Sequence, residues 1–145
     1  GIVFFDLNKL KDINDKYGHQ VGDEALRTIA TAIKGQLRDF DFAAKWTGGD
    51  EIVLCLMGAN EEIAAKVAER INSVLRTLEV SRNHPDLRIS ASMGATSYHR
   101  DDGDIGLGEI LDRVDRAAYA SKNIFRKTGE ARVIRFSELN EGDKK

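Results

Sequence analysis

Two adjacent glycines followed by two acids, Gly48-Gly49-Asp50-Glu51, stand between two β-prone segments, residues 42–46 and 52–56. Glycine pairs take the turn positions that close tight hairpins, so the pattern predicts two antiparallel strands joined at an acidic tip. Antiparallel neighbours in mid-chain argue against a doubly wound parallel sheet, although helical segments alternate with strands on both sides. The same turn sets adjacent carboxylates where water, metal and ligand reach them. Hard oxygen ligands of this kind suit a divalent cation, and glycine lets a ligand approach the backbone. Taken alone, an acidic turn is more often plain surface. The rest of the chain decides.

Residues 2–5 read as a short buried strand ending at Asp6. Residues 7–17 are helix-compatible and close at Gly18, a C-terminal cap. Gly22-Asp23 opens a second helix, with Asp23 available as its N-cap and Leu26, Ile29, Ala30, Ile33 and Leu37 on one face. Asn60 caps a third helix whose first turn holds Glu61 and Glu62, and Ile63, Val67, Ile71, Val74, Leu75 and Leu78 mark its core face. The chain turns around Pro85. Residues 87–97 then read as a strand interrupted at Gly94, 101–108 as an acidic glycine-rich loop, 109–125 as a long helix and 131–136 as a closing strand. One domain over residues 1–137 is expected, with 138–145 a frayed charged tail. The expected class is α/β (α+β): a palm-type, elaborated ferredoxin-like mixed central sheet flanked by helices.

Length and charge narrow the function classes. At 145 residues the chain can bury one real core. Twenty-two basic against twenty-four acidic residues leave a net charge of −2, with no basic excess for nucleic acid or an anionic membrane. No apolar run approaches a membrane span and no secretory signal opens the chain. Cys55, the single cysteine, sits in an apolar run and reads as a small buried hydrophobe, which suits a reducing, cytoplasmic setting. The chain begins with Gly1 directly on a strand-like run, as a piece of a longer protein would, and a sensory or regulatory module is expected in the flanks.

In a palm-type sheet the first strand and the hairpin are neighbours, which brings Asp6, Asp50 and Glu51 together. Three like charges so close repel unless a cation sits among them, so the cluster predicts metal. Two divalent ions there would stabilise attacking and leaving oxygens in phosphoryl or nucleotidyl transfer.

The run Asp6-Leu7-Asn8-Lys9-Leu10-Lys11-Asp12-Ile13-Asn14-Asp15, then Gly18-His19, Gly22-Asp23 and Gly48-Gly49-Asp50-Glu51, resembles the GGDEF family of diguanylate cyclases. Ser92-Met93-Gly94 is similar to the family's Ser-x-Gly strand, and Asp115 through Tyr119 to Lys122 to its Asp-x-x-x-Tyr-x-x-Lys helix. The resemblance covers nearly the whole chain in order. It implies condensation of two GTP into cyclic di-GMP with release of pyrophosphate, by a homodimer in which each protomer presents one GTP. Asp6, the Leu7 carbonyl, Asp50 and Glu51 would hold Mg²⁺ or Mn²⁺. Asp50 and Glu51 would also act on the attacking hydroxyl, and Lys11 would stabilise the transition state. Asn14 and Asp23 match the guanine-reading pair, whose carboxylate accepts from the base N–H groups. His19 matches a substrate contact. Lys122 and Arg126, four apart on one helix face, would clamp triphosphate oxygens. Arg38 and Asp41 match the Arg-x-x-Asp inhibitory site for cyclic di-GMP.

The chain departs from the family pattern in places. Ile52 replaces the phenylalanine that names the motif and remains apolar and β-branched. Phe125 replaces a glycine before Arg126, and Lys127 an asparagine after it, so the aim of Arg126 is in question. Residues 42–47 are one more than the family's spacing between Asp41 and Gly48, with Thr47 the natural bulge. The family's upstream helix and Asp-x-Leu-Thr-Gly-Leu-x-Asn-Arg segment do not precede this first strand. Phe125, the extra hairpin residue and the upstream segment not seen here motivate a second reading, a non-catalytic sensor of GTP or cyclic di-GMP. A third class, a palm-type nucleotidyltransferase with a linear product, is disfavoured as a polymerase by the missing basic surface.

Overall fold

The computed structural model describes residues 1–46 and 50–139. Strand β1 (Ile2–Leu7) leads into helices α1 (Leu10–Tyr17) and α2 (His19–Lys34), and strands β2 (Phe42–Lys45) and β3 (Glu51–Cys55) form the hairpin arms. Helix α3 (Glu61–Thr77), strand β4 (Ala91–Thr96), helix α4 (Leu107–Thr128) and strand β5 (Val133–Arg135) complete the fold. The five strands lie in the order β2-β3-β1-β4-β5. β1 is antiparallel to both β3 and β4, and β5 joins β4 in parallel, so the sheet is mixed as expected.

Strand alternation sorts β1 between two layers. Val3, Phe5 and Leu7 point into the main core with Ile13, Ile29, Ile33, Ile71, Leu75 and Met93, beneath α1, α2 and α3. Phe4 points the other way, packing with Val114 and Ala118 of α4, and Ile2, Val53 and Leu111 pack around them. One helix thus covers the second face. At Gly94 it comes so close that a Cβ would lie 2.3 Å from the Ala118 nitrogen and 2.5 Å from the Val114 oxygen. The glycine is a seat for the helix and β4 runs through it unbroken, contrary to the expected interruption.

Other boundaries shift for physical reasons. β1 extends to Leu7, which pairs with Ala91 of β4 and donates its N–H to the Asp50 carbonyl, so α1 begins at Leu10 after Lys9, which takes a left-handed φ of 63°. α2 begins at His19, which places Gly22 inside the helix and removes Asp23 from the N-cap position expected for it. Its buried face is Gly22, Ala25, Ile29 and Ile33, whereas Ala30 is exposed and Leu26 half-buried. Asn60 caps α3 as expected, its side chain accepting from the Ile63 N–H at 2.9 Å. Ile63 itself is 46% exposed and leaves the core face. Cys55, expected to be buried, is half-buried at the end of β3.

The chain remains ordered past β5. Glu138 ends a 3-10 turn over Phe136–Glu138, paired with Arg135 at 2.7 Å, and Leu139 is buried. Among the described residues no helix is long and apolar enough to cross a membrane. The Gly48-Gly49 tip and the Thr47 bulge lie outside the described residues.

Candidate active site

Sheet register builds the site. Glu51 of β3 stands opposite Asp6 of β1, and Asp6 opposite Ser92 of β4, so three polar side chains form one row across three strands. The next row on the same face is Val53, Phe4 and Gly94, where α4 is seated. Four residues beyond Ala118, one helical turn on, α4 brings Lys122 over the polar row. Its Nζ donates to Asp6 Oδ1 at 3.3 Å and to Asn8 Oδ1 at 3.0 Å. Asp50 reaches the same end of β1, its carbonyl accepting from the Leu7 N–H at 3.0 Å.

Asp6, Glu51, Asp115, Tyr119, Lys122 and Arg126 line a hollow of about 110 Å³ with Phe4, Phe5 and Ala118. Helix α4 continues through Phe125 to Thr128, so that bulky residue does not turn Arg126 away from the hollow. Phe125 instead lies under Lys9, whose ammonium stands 5.9 Å from the ring centroid.

Burial pushes the Asp6 carboxyl above the ordinary carboxylate range; Lys122 opposes that rise, and the negative charge of Asp50 adds to it. A half-buried acid beside a second acid calls for a cation, and the ammonium of Lys122 fills that role here. The donors are carboxylate oxygens, which fits a hard divalent ion. Among the described residues no group of three acids, histidines or cysteines stands ready to hold a metal ion without rearrangement of side chains. Asp6, 28% exposed at its side chain, is turned to Lys122 instead.

The adjacent residue of β3 points to the opposite face. Ile52 lines a larger hollow of about 340 Å³ with Asp23, Leu26, Arg27, Ala30 and Lys45, between α2 and the hairpin. Asn14 belongs to this side. A Cβ at Gly22 would lie 1.7 Å from its Oδ1, so the glycine makes room for the carboxamide between α1 and α2. Asp23, one residue on, is exposed at the mouth of the hollow. Lys11 and His19 are exposed on α1 and at the start of α2, outside the residues that line either hollow.

Arg38 and Asp41 lie at the far end of the hairpin. Asp41, with a side chain only 3% exposed, accepts from Arg38 Nε at 3.1 Å and Nη2 at 3.2 Å, from the Arg38 N–H at 2.9 Å and from the Met57 N–H at 3.1 Å. Arg38 also donates to the Met57 carbonyl at 2.8 Å. The motif therefore buttons the entry of β2 to the exit of β3, and hydrogen bonding to Arg38 holds the Asp41 carboxyl below its ordinary range.

Asn8, Ser90 and Ser92 escaped the sequence reading as site residues. Asn8 Nδ2 donates to Ser90 Oγ at 3.1 Å, and Ser92 Oγ donates to Asn8 Oδ1 at 3.1 Å. The available signal was an amide two positions beyond Asp6, between Leu7 and Lys9. Ser121, beside Lys122, is also buried; its Oγ donates to the Arg132 carbonyl and accepts from the Met93 N–H, pinning α4 to β4.

Comparisons with known proteins agree with this architecture. The profile of the family "Diguanylate cyclase, GGDEF domain" matches residues 1–128. Diguanylate cyclase DosC of Escherichia coli (strain K12) is 34% identical over 122 residues, covering 83% of this chain and 26% of its own length. Diguanylate cyclase A of Treponema denticola is 34% identical over 121 residues, covering 83% of this chain and 32% of its own length. The chain thus spans about a quarter to a third of these curated relatives. Among solved structures, the GGDEF domain of DgcB from Caulobacter crescentus in complex with c-di-GMP superposes with a TM-score of 0.80 at 25% identity, over 94% of this chain and 77% of that one. Diguanylate cyclase SiaD from Pseudomonas aeruginosa, in complex with its activator SiaC, gives 0.80 at 29% identity, over 92% of this chain and 48% of that one. With its profile matched from Gly1 into α4 and its mixed sheet shared with solved members, the chain belongs to the GGDEF domain family of diguanylate cyclases.

Proposed function

We propose that this domain condenses two GTP molecules into cyclic di-GMP, as half of a homodimer in which each protomer presents one nucleotide. The observation that carries the reading is the row Glu51–Asp6–Ser92 capped by Lys122, flanked on the other side of β3 by the hollow that holds Asp23. A charged hollow beside an apolar one with an acid at its rim suits a triphosphate joined to a base.

Asn14 and Asp23 read guanine, the carboxylate accepting from its N1–H and N2–H₂. Lys122 and Arg126 bind triphosphate oxygens, and Lys11 and His19 add contacts from α1 and α2. Asp6, the Leu7 carbonyl, Asp50 and Glu51 would hold Mg²⁺ or Mn²⁺, whose charge would lower the barrier at the α-phosphate when bound. Asp50 accepts the proton of the 3′-hydroxyl as that oxygen bonds to the α-phosphorus of the partner's GTP and pyrophosphate leaves. The same exchange in the opposite direction closes the ring. Arg38, half-exposed and oriented by Asp41, is suited to bind product at the far end of the hairpin.

The test is incubation of purified protein with GTP and Mg²⁺, with product mass and pyrophosphate both measured. Cyclic di-GMP and two pyrophosphates per product are expected, lost on Asp50→Ala or Glu51→Ala. A linear dinucleotide would refute cyclisation. Calorimetric GTP binding without turnover, in a chain that includes its native flanks, would assign the domain to nucleotide sensing.

A further inference from the structure

Between α3 and the segment that enters β5 lies a hollow of about 380 Å³, lined by Glu69, Asn72, Ser73 and Arg76 on one side and by Glu130 and Arg132 on the other. Asn72 is 4% exposed, and its Nδ2 donates to the Ala131 carbonyl at 3.2 Å. That bond fixes the amide, because the reverse orientation would set two oxygens against each other. Oδ1 is left buried without a donor, and among the described residues it is the only buried side-chain polar atom in that state. Buried polar atoms of folded proteins are nearly always paired, so this one marks a place for a donor that the chain does not itself supply.

The charges around that oxygen balance, two arginines against two glutamates. Arg132 Nη2 donates to Glu130 Oε2 at 2.8 Å, and hydrogen bonding from Arg132, with a smaller share from Arg76, holds the Glu130 carboxyl below its ordinary range. Glu69 and Arg76, both exposed, have no hydrogen bond or ion pair at their charged groups among the described residues. They stand two turns apart along α3 with Asn72 and Ser73 between them, so one face offers an anion, an acceptor, a hydroxyl and a cation in order. A lone anion would meet Glu69 and the buried oxygen, and a lone cation would meet Arg76. A molecule that carries both signs and an N–H donor meets neither conflict. The volume lies in the range of small-molecule pockets, about 300–1,000 Å³. We propose that this hollow is a binding site for a free α-amino acid: its ammonium donates to Asn72 Oδ1 and faces Glu69, and its carboxylate pairs with Arg76. The site shares no lining residue with the two hollows of the nucleotide reading and does not depend on that reading.

The test is calorimetric titration of the full 145-residue chain with each of the twenty standard L-amino acids, beside the N-acetyl and amide derivatives of any that binds. Saturable one-to-one binding of at least one amino acid, with a Kd below about 1 mM, is expected. Acetylation removes the ammonium and amidation the carboxylate, and each is expected to weaken binding about tenfold or more, the scale of one charge-assisted hydrogen bond. Glu69→Gln and Arg76→Gln, at exposed positions of α3 and checked by thermal melting, are expected to do the same. Asn72→Ala removes the buried acceptor and is expected to abolish binding; should it fail to fold, the two surface variants decide. No binding by any of the twenty at about 10 mM would overturn the assignment and leave a bound water as the partner of Oδ1. So would binding that Glu69→Gln and Arg76→Gln both leave unchanged, since the ligand would then lie elsewhere. Loss with Arg76→Gln alone, or full affinity of the N-acetyl derivative, would make the ligand a simple carboxylate and refute the zwitterion.

Discussion

Gly94→Ala tests whether the position of α4 governs both stability and the cationic side of the site. An added Cβ would sit 2.3 Å from the Ala118 nitrogen, 2.5 Å from the Val114 oxygen and 2.8 Å from the Ala117 carbonyl carbon, against an ordinary contact of 3.4 Å or more. All three are backbone atoms, so no rotamer relieves the clash, and the helix must retreat by about 3.4 − 2.3, roughly 1 Å. Overpacking of this kind costs about 2–3 kcal/mol, a fall of roughly 5–10 °C in Tm for a chain of this size. The same retreat carries Lys122 away from Asp6, now at 3.3 Å. Misplacement of about 1 Å at a reacting centre lowers rates on the order of 100-fold. Differential scanning calorimetry reads the first effect, and pyrophosphate release from GTP the second. A variant that melts within 1 °C of wild type, or that loses stability while keeping full turnover, would refute the link drawn here between the glycine seat and the site.

Gly22→Ala would drive its methyl into Asn14 Oδ1, which lies 1.7 Å from the Cβ position. The carboxamide must turn away, and discrimination of GTP over ATP should fall about tenfold by competition binding, with unchanged discrimination excluding Asn14 as a base reader. Asp6 is raised mainly by burial, so its protonated form is favoured in the fold. Its contribution is fully present below the ordinary carboxylate pKa and is lost as pH rises through the raised value. Asp6→Asn should therefore melt no lower than wild type at pH 7, with its advantage shrinking toward pH 4; a variant clearly less stable at pH 7 would contradict this. Asp41 has the opposite sign: lowered by hydrogen bonds from Arg38, it stabilises above the ordinary carboxylate pKa and is lost as pH falls through the lowered value. Asp41→Ala should cost about 2 kcal/mol at neutral pH by urea denaturation, a cost that shrinks in acid.

The hairpin, the order of elements and the acids at the end of β1 were legible because each rests on local chemistry: turn-forming glycines, period-two alternation and spaced carboxylates. Lys122 was legible through motif spacing alone. What stayed hidden depends on distant partners. Gly22 looked like a helix boundary and Gly94 like a strand break, yet each marks a close approach to Asn14 or to α4 that only the packed chain reveals. Ile63 has the right periodicity for the core but lies near the start of α3, beyond the sheet's cover. The Ser92–Asn8 bond joins residues 84 positions apart, and no local pattern announces such a register. The meeting of Asp6 with Glu51 was read from the adjacency of β1 and the hairpin, which the register keeps. In the fold, the ammonium of Lys122 relieves the crowding at Asp6.

Neighbouring residues of β3 look out on different compartments, Glu51 on the charged hollow and Ile52 on the apolar one. Under the function proposed above, a single peptide linkage joins the residue facing the base hollow to the residue facing the phosphate hollow. A larger side chain at 52 would fill the apolar hollow, which Ile52 lines, and leave the charged one, which Glu51 lines, untouched.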